Sequence, residues 1–291
     1  MVAPFPIVDA HQHFWDPRIN YHPWLCDQPP IPFRYGDYSA LRRPYLPADY
    51  FTDAANHQVV KTVYVETEWD PRDPVGEMRY VESLRRESGF PTVAVAQARL
   101  HREDVVVTLE ALAQYDFVRG VRHKPAPGQM DDGLWRAGFA NLAPRRLRFD
   151  LQAPWTQLRE AARLARSFPD TTIILNHTGL PADRGPEGVA GWKDAMSRLA
   201  ACPNAALKVS GLGMLGQPWT AESNRDVVLA AIDLFGIGRS MFASNFPVDG
   251  LCGSFDAITS GMREILGGSS AAEQRAFFHD NAVRIYDMEK R

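Results

Sequence analysis

The sequence predicts a single (β/α)8 barrel, and three observations support this fold. Short runs of β-branched residues recur eight times, and a longer segment with helical spacing follows each run, as is typical of βαβ units around a parallel sheet. The chain has 291 residues, and such barrels commonly reach ~250 residues as one domain. No change in composition and no long linker divides the sequence. We therefore expect one domain over residues 1–291.

The predicted strands lie at residues 7–13, 59–66, 92–98, 117–122, 148–151, 171–176, 206–210 and 240–245. Helical patterns lie at residues 74–88, 104–114, 155–167, 191–201 and 221–234, and several open with a proline or an acidic residue, which suits a first helical turn. Residues 271–286 predict a terminal helix that closes the ring. Residues 14–47 are rich in proline and aromatic residues and have no periodicity, so they predict the first βα loop. This loop is either a wall of the pocket that includes Trp15, or an irregular segment without a special role.

Composition excludes several classes of protein. Hydrophobic residues make up 45% and charged residues 23%, as in ordinary soluble domains. A net charge of -3 offers no basic face for nucleic acid, and no apolar run is long enough to span a bilayer. Residues 1–6 lack the layout of a secretory signal, and three widely spaced cysteines favour reduced thiols. We expect a cytoplasmic protein that acts on a small molecule, and a homo-oligomer is left open.

Active sites of these barrels lie at the carboxyl ends of the strands, so the residues that close each predicted strand are the candidates. These positions are polar throughout. In strand order they are His11 and His13, Glu66 and Glu68, Gln97 and Arg99, Arg122 and His123, Asp150 and Gln152, Asn176 and His177, Lys208 and Ser210, and Asn245 with Asp249.

His11 and His13 are two residues apart on one predicted strand, so both side chains point to the same face, together with that of Asp9. Neutral imidazole is the commonest metal ligand, and two on one strand with a third from across the barrel leave open positions for water and substrate. A His-x-His motif on its own often arises by chance. The position of His177 at the end of the sixth strand favours a functional site.

Arg122 stands where a guanidinium can bind a substrate carboxylate in a bidentate manner. The alternative is a salt bridge with a neighbour such as Glu66 or Asp150. Glu66 or Glu68 could in turn be a general base, a metal ligand or the partner in that salt bridge.

Several segments together resemble the amidohydrolase-2 family of metal-dependent TIM-barrel hydrolases, and within it the branch of sugar-lactone and dicarboxylate-lactone hydrolases. The segments are IVDAHQHFW at residues 7–15, PWL at 23–25, LPAD at 46–49, GVRH at 120–123, NHTGLP at 176–181, MFASNFPV at 241–248 and NAVRIY at 281–286. The similarity extends over nearly the whole chain. It is specific for the superfamily and only indicative for the substrate.

The resemblance implies that water opens a lactone ring. It also implies that His11, His13 and His177 hold either a divalent ion, for which zinc is the first expectation, or the substrate carbonyl. Branches of the family differ in whether they need the metal. The residues expected to contact the substrate are Arg122, on a carboxylate or hydroxyl-rich part, His123, Trp15 and Asp249.

The family pattern places an aspartate at the end of the eighth strand, where it activates the water, but this chain carries Asn245 there. An amide does not take up a proton at neutral pH, so the expected general base is missing. Three explanations are open: Glu66 or Asp249 replaces the base, Asn245 only orients water while a metal hydroxide attacks, or hydrolysis has been lost. We favour Glu66 as the substitute base or an extra ligand. The catalytic candidates are therefore Glu66, Asn245 and His177.

The leading hypothesis is a hydrolase that opens a lactone of a sugar acid or a dicarboxylic acid. A second hypothesis is a metal-dependent, non-oxidative decarboxylase of the same superfamily, which the missing aspartate also weakens. The third is a non-catalytic binding protein that retains the pocket, because a fold does not by itself establish an activity.

Overall fold

Eight parallel strands form the sheet of the computed structural model, which describes residues 5–289. They are β1 (Ile7–Gln12), β2 (Val59–Val65), β3 (Val93–Gln97), β4 (Val118–His123), β5 (Arg148–Leu151), β6 (Ile173–Leu175), β7 (Ala205–Val209) and β8 (Ser240–Phe242). Each strand pairs with the next one in the sequence. The backbone N–H of Asn245 donates to the carbonyl of His11 at 2.8 Å, so the residues after β8 close the ring against β1. The predicted (β/α)8 barrel is confirmed.

Helices surround this barrel. They are α1 (Pro23–Cys26), α2 (Pro47–Asp53), α3 (Gly76–Ser88), α4 (Val105–Ala113), α5 (Gly133–Phe139), α6 (Leu158–Ser167), α7 (Pro186–Ala200), α8 (Ala221–Phe235), α9 (Phe255–Ile265), α10 (Ala271–Arg275) and α11 (Asn281–Ile285). The five predicted helical patterns correspond to α3, α4, α6, α7 and α8. Helix α7 begins earlier than predicted because Pro186 supplies its first turn. The predicted terminal helix consists of α10, a π-helical turn and α11.

Apolar side chains that alternate along the strands fill the interior of the barrel. Val8, Val63 and Met241 are examples, and they form one cluster with Ala282 and Ile285 of α11. Helix α11 therefore covers the end of the barrel where the strands begin. The other end, where the strands finish, remains available for a functional site.

Residues 1–4 and 290–291 lie outside the described part of the chain, so the expectation about residues 1–6 and the outer limits of the predicted domain extend beyond it. Within residues 5–289 no helix is long and apolar enough to cross a membrane.

Candidate active site

Three histidines lie together where β1 and β6 end. The ring centroids of His11 and His13 are 4.9 Å apart, and that of His177 lies 4.5 Å from that of His11. All three side chains are buried. Within the described residues, neither ring nitrogen of His11 has a hydrogen-bond partner. The structure thus brings together the three histidines that the strand-end positions identified.

These imidazoles are uncharged at neutral pH. Burial lowers the pKa of His13 to about 3, and the charge of Arg122 adds to this effect. Burial also lowers the pKa of His11 well below its ordinary value, with Lys208 as the next cause. For His177 burial again dominates the lowered pKa, followed by the charge of Arg34. The site therefore offers imidazole lone pairs in a buried, cation-rich setting.

The hydrogen bonds of His13 fix its tautomer. Its Nδ1 lies 2.7 Å from the carbonyl oxygen of Val65, and because a carbonyl only accepts, Nδ1 must carry the proton. Nε2 is then an acceptor, and it lies 3.4 Å from Oδ1 of Asn245. Two acceptors therefore face each other, and a group that donates hydrogen bonds or carries positive charge would satisfy both.

The orientation of the Asn245 amide follows from Asp249. Asn245 Nδ2 donates to Asp249 Oδ1 at 2.7 Å, which turns Oδ1 of the amide toward His13. Asp249 also accepts from the Tyr35 hydroxyl at 2.8 Å and from the backbone N–H of Gly211 at 2.9 Å. Burial raises the pKa of Asp249, although these donors and Arg34 oppose the shift. Asp249 thus lies behind Asn245 and does not line the cavity.

The backbone is left-handed at two of the site residues. Asn245 has φ 56° and His177 has φ 55°, a region that residues other than glycine occupy rarely and at a cost of about 1–3 kcal/mol. Gly211 lies against His177, and a Cβ at this glycine would come within 2.5 Å of the Cβ of His177. The close approach therefore requires glycine. Such local strain is common where a fold must aim a side chain at a site.

Arg122 and Glu66 form a buried ion pair. Nε of Arg122 donates to Oε1 of Glu66 at 2.6 Å, and the two side chains are 4% and 2% exposed. The other carboxylate oxygen accepts from the backbone N–H of Glu68 at 2.7 Å and from Gln97 at 3.2 Å. Burial alone would raise the pKa of Glu66, but the charges of Arg122 and Lys124 outweigh burial and lower it. This carboxylate is a fully occupied acceptor, unlike the free base that the sequence suggested.

A cavity of about 580 Å³, including its open mouth, lies over the histidines. The first βα loop supplies an aromatic wall in which the rings of Trp24 and Phe33 stack at 5.9 Å. Trp15 also lines the cavity, while its indole N–H is held by the carbonyl of Arg43 at 2.9 Å. The predicted residues that reach this cavity are His13, Trp15, Glu68, Arg122, Gln152, His177 and Asn245.

The other predicted residues occupy different places. His11 and Asp249 lie behind the cavity wall, and Glu66 and His123 line a neighbouring cavity. Sequence reasoning did not single out Arg34, which lines the main cavity and whose guanidinium lies 3.4 Å from Asp249. Arg34 belongs to the loop without periodicity, so its only sequence signal is its place among the aromatic residues of that loop.

The donors at this site match a divalent ion in type. His11, His13 and His177 are uncharged imidazoles, and the two buried ring nitrogens of His11 have no other partner in the described chain. Imidazole is the preferred ligand of zinc after thiolate. As the side chains stand, no three His, Cys, Asp or Glu residues between 5 and 289 are already arranged around one ion. The ligand types are therefore present at the site without a preformed set of ligands around one point.

Comparison with known proteins identifies the class. The sequence matches the amidohydrolase family over residues 8–288, so the chain belongs to this family. The predicted family is confirmed, and with it the prediction of an enzyme of this superfamily.

Two kinds of relative are informative. An uncharacterised protein of Sinorhizobium fredii is 42% identical, over 96% of this chain and 98% of that protein. Two proteins named L-fucono-1,5-lactonase are more distant: one from Burkholderia ambifaria is 28% identical over 85% of this chain and 82% of that protein, and one from Burkholderia multivorans is 27% identical over 97% and 96%.

Solved structures agree with this grouping. An amidohydrolase from Burkholderia multivorans, crystallised with bound zinc, has a TM-score of 0.81 and 26% identity, and the match covers 97% of this chain and 99% of that chain. A 2,6-dihydroxybenzoate decarboxylase from Rhizobium has a TM-score of 0.67 at 14% identity, with 99% of this chain and 100% of that chain covered. At that identity the likeness shows the fold alone.

Proposed function

We propose that this enzyme hydrolyses a lactone of a sugar acid or a dicarboxylic acid by attack of water on the ring carbonyl. The observation that carries the proposal is the pair of facing acceptors, Nε2 of His13 and Oδ1 of Asn245, 3.4 Å apart beside two further uncharged histidines. A water bound there donates its hydrogens to both acceptors, which directs an oxygen lone pair toward the substrate. The names of the Burkholderia lactonases support the substrate class.

His13 is the group that receives the proton from this water. Its Nε2 lone pair is available because Nδ1–H is committed to the carbonyl of Val65. Burial makes His13 a weak base in the resting site, with a pKa of about 3. Charge that develops on the substrate oxygen stabilises the imidazolium as it forms. The imidazolium then gives this proton to the ring oxygen as the bond between that oxygen and the carbonyl carbon breaks, which yields the open hydroxy acid and restores neutral His13. Asn245 orients the water and takes no proton.

Asp249 acts through Asn245 and is a positioning residue. It receives the amide N–H of Asn245 at 2.7 Å and is itself held by Tyr35 at 2.8 Å. Without this acceptor the amide could rotate and present its NH2 group to the water. The amide would then repel the hydrogens that it now accepts.

Two arginines face the negative charge that develops on the carbonyl oxygen. Arg122 is held in place by Glu66 and by Gln152, whose Oε1 accepts from Nη1 at 3.0 Å. Arg34 approaches from the first loop. Fixed cations of this kind stabilise an oxyanion because they need no reorganisation during the reaction. Glu66 therefore positions Arg122 and does not act as the base.

A divalent ion, with zinc as the candidate, would be held by His11, His13 and His177 and would supply Lewis-acid polarisation of the ring carbonyl. The zinc-bound relative supports this assignment. With the ion bound, the Nε2 lone pair of His13 would be committed to it, so the proton-accepting role of His13 belongs to the site without the ion. The positioning roles of Asp249 and Glu66 are the same in both cases.

The proposal is tested by a pH-indicator assay over a panel of lactones that includes L-fucono-1,5-lactone, neutral sugar lactones and lactones of dicarboxylic acids. A hydrolase releases acid from at least one of them at a rate that scales with enzyme concentration. Release of carbon dioxide from an aromatic acid would instead favour the decarboxylase. A rise in Tm with no turnover of any compound would favour a binding protein.

A further inference from the structure

A second cavity lies beside the main one, on the other side of Arg122. It is lined by the ends of β3 and β4 and by the loop that follows β4, and the two cavities share Glu68, Arg122 and Lys124. The ion pair between Lys124 and Glu68 thus lies at their boundary. Apart from Glu66, which positions Arg122, the remaining residues of this second cavity take no part in the chemistry proposed above.

His123 presents a defined N–H donor in this cavity. Its Nδ1 accepts from the indole N–H of Trp135 at 3.1 Å and from the backbone N–H of Leu100 at 3.4 Å. Burial lowers the pKa of His123 to about 4, so the ring is neutral at pH 7 and its single proton must reside on Nε2.

His101 has the same tautomer for a similar reason. The backbone N–H of Ala126 donates to Oε1 of Gln129 at 3.0 Å, which fixes the orientation of that amide. Gln129 Nε2 then donates to Nδ1 of His101 at 3.3 Å. Nδ1 is therefore an acceptor, and Nε2 of His101 carries a proton. The rings of His101 and His123 are 5.7 Å apart, so two imidazole N–H donors line one cavity.

Arg99 gives the cavity a net positive charge. Three cations line it, Arg99, Arg122 and Lys124, against two carboxylates, those of Glu66 and Glu68. Arg122 is paired with Glu66, and Lys124 is paired with Glu68. Arg99 is exposed and has no ion pair within residues 5–289. The charge that remains is that of one guanidinium.

We propose that this second cavity is an anion subsite that binds a carboxylate of the substrate, at a distance from the ring that is opened. One uncompensated guanidinium and two imidazole N–H donors match a singly charged carboxylate better than a phosphate dianion. The identity of the ligand as substrate rests on the proposed function, whereas binding of a carboxylate does not. The subsite favours lactones of dicarboxylic acids over neutral sugar lactones.

Direct binding tests the subsite without turnover. Succinate is titrated into the protein, with the neutral diamide succinamide as a matched probe, and the imidazole resonances of His101 and His123 are followed by NMR. We expect saturable shifts with succinate only, and an affinity at least about tenfold weaker in Arg99→Gln. The control is Arg102→Gln, because Arg102 is also exposed but is paired with Asp104 and does not line this cavity. Absence of saturation, or equal affinity in Arg99→Gln, overturns the subsite.

Kinetics test whether the ligand is the substrate. Arg99→Gln should raise KM for a carboxylate-bearing lactone at least about tenfold while leaving its kcat and the KM of a neutral lactone unchanged. Succinate binding with an unchanged KM in Arg99→Gln would show that the cavity binds only free anions, which contradicts the assignment to substrate. If no lactone is hydrolysed, the proposed function fails, and the succinate titration still decides whether the subsite exists.

Discussion

Replacing Glu66 by glutamine separates the two roles that this residue could have. Glu66 accepts from Arg122 with Oε1, at 2.6 Å, and from Glu68 N–H and Gln97 with Oε2. A glutamine has one acceptor oxygen, so an amide that still faces Arg122 must direct its NH2 group at two donors. Glu66→Gln therefore leaves the buried guanidinium without its counter-charge and adds a conflict between donors.

The structure gives the size of the effect. Both side chains are almost fully buried, and breaking a buried ion pair on one side typically costs about 3–5 kcal/mol. We expect the free energy of unfolding of Glu66→Gln to fall by about that amount at pH 7. Because the pKa of Glu66 is lowered in the folded protein, its contribution to the free energy of unfolding is fully present above the ordinary pKa of 4.5. This contribution is lost as the pH falls below that value. The difference in free energy of unfolding between Glu66→Gln and the wild type should therefore become smaller at acidic pH.

Urea unfolding at pH 7 and below pH 4.5 measures both effects. The matched control is Glu68→Gln, whose partner Lys124 is 39% exposed while Glu68 is 43% exposed, so its cost should be about 0–1 kcal/mol. In the lactone assay, a positioning role predicts that Glu66→Gln lowers kcat, because Arg122 is no longer held against the developing oxyanion, and keeps the pH dependence of kcat. An unchanged stability, or loss of the acidic limb of the kcat profile, would refute this account of Glu66.

Three further perturbations follow from the same structure. Burial lowers the pKa of both His22 and His123 to about 4, so the free energy of unfolding is highest above pH 6.5 and falls by about 3 kcal/mol per residue toward pH 4. Thermal melts should show this loss, and His22→Gln should remove the part that is due to His22. Asp249→Asn permits rotation of the Asn245 amide and should therefore lower kcat at least about tenfold with little change in KM. An equal lowering of kcat and KM in a folded variant would argue against a positioning role of Asp249. Zinc at about a hundredfold excess over its Kd should stabilise the wild type by about 2.7 kcal/mol, reversibly with a chelator, but not His11→Ala; an equal rise in Tm for both proteins would place the ion elsewhere.

Most of the barrel could be predicted because parallel strands buried on both faces read as short apolar runs. The ends of two strands could not. The sequence predicts one strand over residues 240–245, yet β8 ends at Phe242, and Asn245 has φ 56°, which is not a strand conformation. Likewise β6 covers only Ile173–Leu175 of the predicted 171–176. After β8, local backbone conformation that serves the site therefore overrides strand propensity.

The histidines could be located from sequence because alternation in a strand puts His11 and His13 on one face, and the strand-end rule adds His177. The surroundings of Glu66 could not be found in this way. A strand-end position does not tell which of two neighbouring cavities a side chain enters or which partner it meets. Here β4 places Arg122 beside Glu66, so the salt-bridge alternative is the one observed. Arg34 could not be predicted as a site residue because its loop has no repeating sequence pattern.

The central claim is that the buried histidine cluster carries out hydrolysis, and the turnover of His11→Ala tests it most directly. The control is His57→Ala, since His57 lies outside the cavity and contacts Asp256. The account predicts that His11→Ala retains the cooperative unfolding of the wild type and loses at least about 10²-fold in kcat/KM on the lactone that the wild type hydrolyses best. His57→Ala should keep wild-type turnover. A folded His11→Ala protein with an unchanged rate would contradict the account.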